Sequence, residues 1–79
     1  MTRVQLTAQE IRTELQARIN QIPEVIEDRE QLKAPPPYWH EDDELGCNWN
    51  VTVVANSLPY VQQITGIVRE LRSIYRLKT

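Results

Sequence analysis

The side chains that could take part in chemistry are concentrated in one stretch, PPPYWHEDDELGCNWN, at positions 35–50. It holds the single histidine, His40, the single cysteine, Cys47, and four consecutive acids at positions 41–44. Histidine, cysteine and carboxylates are the residue types of a metal centre and of a thiol enzyme. Their number and spacing decide whether either chemistry is expected.

The ligand count argues against a metal site. Zinc takes about four protein ligands in a structural site, and the chain has one His and one Cys. The run Glu41 to Glu44 lacks the alternating oxygen ligands and the twelve-residue spacing of an EF-hand. It remains open to two interpretations, a solvated loop tip and a contact for a basic partner. We expect no metal site and no cofactor.

Catalysis by a nucleophile needs a thiol or hydroxyl beside a base and a third group that orients the base. Cys47 falls on the apolar face of an alternating segment, where a buried and unreactive thiol is expected. A chain with two glycines, Gly46 and Gly66, also has no glycine-rich phosphate loop. The sequence therefore predicts a protein that is not an enzyme, with no catalytic residue.

The aromatic residues of the same stretch favour a role in binding. Trp49 alternates with Cys47 and belongs to the predicted core, whereas Trp39 adjoins prolines and acids and is the better candidate for an exposed anchor. Tryptophan carries much of the affinity at interfaces, and an acidic rim favours a basic partner. The predicted partner-binding residues are Tyr38, Trp39, His40, Glu41, Asp42, Asp43 and Glu44.

The prolines before these aromatic residues have two interpretations. Pro35 to Tyr38 matches the PPxY pattern and resembles a ligand of WW domains, which bind a polyproline helix in an aromatic groove. The pattern is only four residues long. A stiff strand edge that blocks extension of the sheet is the favoured interpretation.

Helical patterns flank the stretch on both sides. Thr7 and Glu10 form a capping box, and Pro23 ends the helix that follows. Residues 24–33 fit either a turn leading into extended chain or a short helix opened by Pro23. The first helix places on one face Ala8, Ile11, Leu15, Ile19 and Ile22.

A hairpin and a second helix complete the predicted fold. Residues 43–46 fit a type I turn with Gly46 at positive φ, and Cys47 to Val54 alternate as a strand with one buried face. Asn56 or Ser57 then caps a helix from Leu58 to about Leu77, whose broad apolar arc suggests a homodimer. The predicted dimer face is Tyr60, Ile67 and Ile74.

Three arginines line one flank of this last helix, Arg69, Arg72 and Arg76. Cations near a helix C-terminus complement the helix dipole, which accounts for most of the pattern. The alternative is an acid-binding stripe that meets the acidic loop of a second copy.

Length and composition limit the number of domains, the class of partner and the cellular location that can be expected. The chain has 79 residues and a formal charge of −2, so we expect a single domain, 1–79, without the basic excess of a nucleic-acid-binding protein. No apolar run approaches the ~20 residues of a membrane span. One cysteine and no leader sequence indicate a cytoplasmic protein.

The predicted fold is α+β, with two helices on a small antiparallel hairpin in the order α-β-β-α. The predicted function is a non-enzymatic protein-interaction module, an accessory or inhibitor-like subunit. The alternatives are a structural homo-oligomer formed through the C-terminal helix and a small metal- or thiol-dependent enzyme.

Overall fold

Three α-helices and four short strands make up the described part of the computed structural model, residues 3–53 and 55–78, so the chain is mixed α+β. In chain order the elements are β1 (Val4–Leu6), α1 (Ala8–Ile19), α2 (Pro23–Glu27), β2 (Tyr38–Trp39), β3 (Trp49–Asn50), a 3-10 helix (Ala55–Tyr60), α3 (Val61–Ile74) and β4 (Tyr75–Leu77). The predicted order α-β-β-α thus omits both terminal strands and α2. No helix in these residues is long and apolar enough to cross a membrane.

Helix α1 begins with the predicted capping box, which is confirmed. The Thr7 hydroxyl accepts the Glu10 N–H at 3.1 Å, and the Glu10 carboxylate accepts the Thr7 N–H at 2.9 Å. The second of these bonds lowers the pKa of Glu10. The helix ends at Ile19, before Pro23, which instead occupies the first position of α2.

The core lies between α1 and α3, which pack against each other. Ile11, Leu15 and Ile19 of α1 are buried, whereas Ala8 is exposed. Ile64, Val68 and Leu71 of α3 are also buried. The remaining buried apolar residues are Ile22, Val25, Leu32, Ala34, Cys47, Trp49, Tyr60 and Leu77.

A parallel pair of strands, β1 and β4, joins the two ends of the described chain. Val4 pairs with Tyr75 and Leu6 with Leu77, and the Lys78 N–H donates to the Leu6 carbonyl at 2.7 Å. The prediction that the last helix continues to Leu77 is therefore wrong, since the chain is extended from Tyr75 onward. Long-range backbone pairing outweighs the helical pattern of these three residues.

The start of the last helix also differs from the prediction. Residues 55–60 form a 3-10 helix that contains Pro59, and α3 begins only at Val61 with no side-chain cap. The predicted cap residue Ser57 is buried in the 3-10 helix. Tyr60, the last residue of that helix, is held by a hydrogen bond from its hydroxyl to the Asp28 carboxylate at 2.7 Å.

Strands β2 and β3 form an antiparallel pair of two residues each, with Tyr38 opposite Asn50 and Trp39 opposite Trp49. The predicted strand from Cys47 to Val54 is much longer than the two-residue strand β3. Its last residue, Val54, lies outside the described residues. In this register the next N–H to pair with the opposite strand beyond Tyr38 would be that of residue 36, opposite Thr52, and Pro36 has none.

The predicted strand alternation is wrong at Asn48, which it places on the solvent-exposed face of the strand. It is buried, like Cys47 and Trp49 on either side. Its side-chain amide donates to the Leu77 carbonyl at 2.9 Å, and its carbonyl accepts the Leu77 N–H at 2.8 Å. The carboxamide thus pairs with β4 as a neighbouring strand would.

Gln16 of α1 makes the same double contact with an irregular segment. Its amide donates to the Leu32 carbonyl at 2.8 Å, and its carbonyl accepts the Ala34 N–H at 2.7 Å. The segment between α2 and β2 is therefore fixed without a strand partner. A buried backbone group must be paired by some means, and here a side chain supplies the pair.

Replacing Asn48 by alanine should lower the free energy of unfolding by about 1–3 kcal/mol, because both backbone groups of Leu77 lose their buried partner. Urea unfolding measures the change. Asn50→Ala is the control, since the Asn50 side-chain carbonyl accepts only the N–H of the next residue, Val51. Equal stability losses in the two variants would contradict the structural role of Asn48.

Candidate functional site

The loop between β2 and β3 is shaped by Asp43. One carboxylate oxygen of Asp43 accepts the N–H groups of Leu45 and Cys47 at 2.9 and 3.0 Å, and its backbone carbonyl accepts the Gly46 N–H at 2.9 Å. This last bond closes a turn over the predicted residues 43–46, and the φ of 78° at Gly46 confirms the predicted positive φ. The turn is closed by side-chain as well as backbone hydrogen bonds.

Two arginines from the end of the chain bind this loop. Arg72 of α3 meets the second Asp43 oxygen at 2.5 Å and donates to the Trp49 carbonyl at 2.8 Å. Arg76 of β4 makes a two-point contact with Asp42 at 2.7 and 2.8 Å. These two arginines therefore meet the acidic loop of their own chain, whereas the alternative drawn from the sequence placed that contact between two copies.

The ionisation of the loop reflects these contacts. The N–H of Cys47 is the largest single cause that lowers the pKa of Asp43, and the Leu45 N–H and Arg72 act in the same direction. Asp42 raises the pKa of Arg76 through their hydrogen bond. Asp43 is thus held as a carboxylate, which is the form that accepts all three donors.

The aromatic residues predicted to bind a partner lie on the short ladder before this loop. Trp39 is 56% exposed and Tyr38 is 48% exposed, whereas Trp49, directly across the ladder from Trp39, is fully buried. The Trp49 indole N–H donates to the Tyr75 carbonyl at 3.0 Å. The two tryptophans of the chain therefore have opposite environments, although they pair on the same ladder.

His40 connects the aromatic pair to the loop. Its backbone N–H donates to the Asn48 carbonyl at 2.9 Å, and its ring lies 6.3 Å from that of Tyr38, centroid to centroid, tilted by 58°. Its Nδ1 atom lies 2.6 Å from the Glu41 carbonyl oxygen. His40 is half-buried and fixed at both its backbone and its ring.

The four predicted acidic contacts divide into two groups. Asp42 and Asp43 are bound by Arg76 and Arg72. Glu41 and Glu44 are exposed and make no salt bridge with residues 3–53 or 55–78. The structure thus keeps Tyr38 and Trp39 with Glu41 and Glu44 on the surface and uses the two aspartates to hold the loop.

The reactive side chains do not converge. Cys47 is buried, as predicted, and its thiol donates to the Trp49 carbonyl at 3.4 Å. No three His, Cys, Asp or Glu side chains in the described ranges are grouped as metal ligands. Pro35, the first residue of the PPxY pattern, is buried and therefore has little surface left for a WW domain.

The predicted dimer face is not a continuous surface. Tyr60 is 6% exposed, Ile67 is half-buried and Ile74 is partly exposed. Tyr60 belongs to the core, and the hydrogen bond from its hydroxyl to Asp28 raises its pKa to about 12. The helical arc predicted from sequence includes Tyr60 because it assumes a helix that begins earlier than α3 does.

Sequence reasoning missed the connection between the acidic loop and the arginines of the same chain. It also missed Arg3, whose Nε donates to the Arg72 carbonyl at 3.0 Å. Two adjacent acids, Asp42 and Asp43, and two arginines four residues apart, Arg72 and Arg76, offer only a weak signal of this contact in the sequence.

Comparison with known proteins gives no relative: no family model, no curated protein and no solved structure matches the chain. The function must therefore be argued from the site itself.

Acrylamide quenching of fluorescence should distinguish the two tryptophans. We expect one accessible and one protected component, and Trp39→Phe should remove the accessible component while the protected emission of Trp49 remains. The unfolding curve of this variant is the control for an intact core. A single population quenched to the same degree in both proteins would contradict the exposure of Trp39.

The pH dependence of stability should report on Asp43. Its folded-state pKa is lowered, so its contribution is present above the unfolded pKa of about 4 and is lost as pH falls through the folded pKa. Asp43→Asn should therefore be less stable than wild type at neutral pH and lose less stability on acidification. Urea unfolding at neutral and acid pH tests this, with Glu41→Gln as the exposed control. Parallel curves for wild type and Asp43→Asn would contradict the assignment.

Proposed function

We propose that the protein is a non-enzymatic interaction module that docks a protein partner through Tyr38 and Trp39. The observation that carries the proposal is the 56% exposure of Trp39 on a ladder whose opposite residue lies in the core. A large apolar ring left in water is unfavourable for an isolated domain, and burying it against a partner recovers that free energy.

The charges beside the aromatic pair define the kind of partner. Glu41 and Glu44 are exposed, whereas Asp42 and Asp43 are already bound to arginines. A partner with an apolar pocket for the indole and a basic residue next to it would match this surface. The two glutamates then contribute mainly to association rate and orientation, and the tryptophan to affinity.

The rigidity of the surface supports the same function. The backbone of the 38–44 segment is fixed by the β2–β3 ladder, by the bonds of the Asp43 carboxylate and by two arginine ion pairs. A surface that is ordered before binding loses little conformational entropy when the partner docks. The buried thiol of Cys47 suits the reducing, cytoplasmic setting that we propose for the module.

The homo-oligomer remains the alternative. Val61 and Ile74, the exposed apolar residues of α3, lie at its opposite ends, and Tyr60 is buried. An interface through this helix would therefore have little apolar area at its centre, which favours the docking surface over the oligomer.

Affinity capture from cell lysate with quantitative mass spectrometry tests the proposal. Trp39→Ala should reduce recovery of the specific partner at least about tenfold, as truncation of a central tryptophan does at interfaces. Leu58→Ala is the matched control, because Leu58 is 55% exposed and lies outside the surface. Glu41→Lys should also weaken capture, and more strongly at low salt.

Crosslinking of the captured complex should then place the partner next to residues 38–44. If Trp39→Ala recovers the same proteins in the same amounts as wild type, the docking surface is wrong.

A further inference from the structure

A second surface feature is a small cleft of about 190 Å³ between the start of the chain, the acidic loop and α3. It is smaller and more enclosed than four other grooves on the surface. Half of its lining is arginine. The lining residues are Arg3, Leu45, Cys47, Arg69, Arg72 and Ser73.

The three arginines give the cleft a positive charge that ion pairs within the described residues neutralise only at Arg72. Arg72 is paired with Asp43. Arg3 and Arg69 make no salt bridge with any residue in the ranges 3–53 and 55–78. The cleft therefore carries two guanidinium charges in excess of its carboxylates, in a chain whose formal charge is −2.

The helix dipole explains only part of this cluster. It favours cations in the last turn of α3, where Arg72 lies, but its effect falls off within one turn. Arg3 comes from the segment before β1, but its Nε donates to the Arg72 carbonyl in the last turn of α3, so the dipole favours this charge as well. Arg69 lies before that turn, and its charge needs another explanation.

Arg3 is also held in a defined orientation. Its Nε donates to the Arg72 carbonyl at 3.0 Å, and its Nη1 lies so close to Gly46 that a Cβ there would be 3.1 Å away. Fixing a long side chain costs conformational entropy. Gly46, whose φ of 78° already suits the turn, also leaves room for this guanidinium.

We propose that this cleft binds a phosphate group. Arginine presents planar N–H donors that match phosphate oxygens, and such charge-assisted bonds are among the stronger ones in proteins. A phosphate monoester carries about −1.5 to −2 charge near neutral pH, which balances the excess of two guanidinium charges. The source is either inorganic phosphate or a phosphorylated side chain. The proposal does not depend on the docking surface at Trp39.

NMR titration of the full chain with inorganic phosphate tests the site. Saturable shifts are expected at the amides of Arg69 and Ser73 and at the Nε resonances of Arg3 and Arg69. Arg69→Gln should weaken the affinity at least about tenfold, through loss of a bond to a charged group. Arg29→Gln is the control with the same change of charge, because Arg29 is exposed and does not line the cleft.

The charge of the ligand provides a second test. Phosphoserine should bind more weakly at about pH 5 than at about pH 7.5, because its second pKa is about 6. Sulfate keeps its double charge over this range, so its affinity should stay nearly constant. Asp43, the carboxylate paired with Arg72 at the cleft, has a lowered pKa and should stay charged on this acidification.

The same titrations identify the source of the phosphate. A phosphoserine peptide that binds more tightly than inorganic phosphate assigns the cleft to a phosphorylated side chain, and equal affinities assign it to free phosphate. The proposal is overturned if no ligand gives saturable shifts at the cleft, or if Arg29→Gln weakens binding as much as Arg69→Gln.

Discussion

The pairing of the β4 backbone controls the arrangement of everything else. Residues Tyr75–Leu77 have β1 on one side and, on the other, two side chains in place of a strand, since Asn48 pairs with Leu77 and the Trp49 indole donates to Tyr75. Buried backbone groups without partners are strongly unfavourable. A three-residue parallel pair can therefore exist in so small a protein because its second edge is satisfied by side chains.

This arrangement determines the shape of the acidic loop. Once Asn48 and Trp49 are fixed against β4, the chain from Trp39 to Cys47 must close over the end of α3, where Arg72 and Arg76 are available. The two aspartates then become part of the protein's own framework. Ion pairs at the surface contribute little to stability by themselves, but these are joined to the hydrogen bonds of the turn and so restrict its conformation.

The sequence predicted the fold well where neighbouring residues determine the local structure. The capping box at Thr7, the turn at Gly46 and the buried positions of Cys47 and Trp49 are all visible in sequence and all present. The errors occur where contacts with residues distant in sequence determine the local structure. Strand β1 is three residues long and too short for a periodic signal. The helical pattern of the last helix continues through Tyr75, although the helix does not. Asn48 has the pattern of an exposed strand residue, and only its contact with Leu77 shows why it is buried.

The candidate site shows the same division on a smaller scale. From sequence alone, a run of four acids is interpreted as one negatively charged surface, because composition does not show which carboxylates form ion pairs within the protein. In the structure the inner pair binds arginines and the outer pair, Glu41 and Glu44, remains in solvent. A binding surface needs both groups, since charges offered to a partner select it only if the backbone that carries them is held in place. In the proposed docking, Asp42 and Asp43 would therefore act by fixing the positions of Trp39 and the two glutamates rather than by touching a partner.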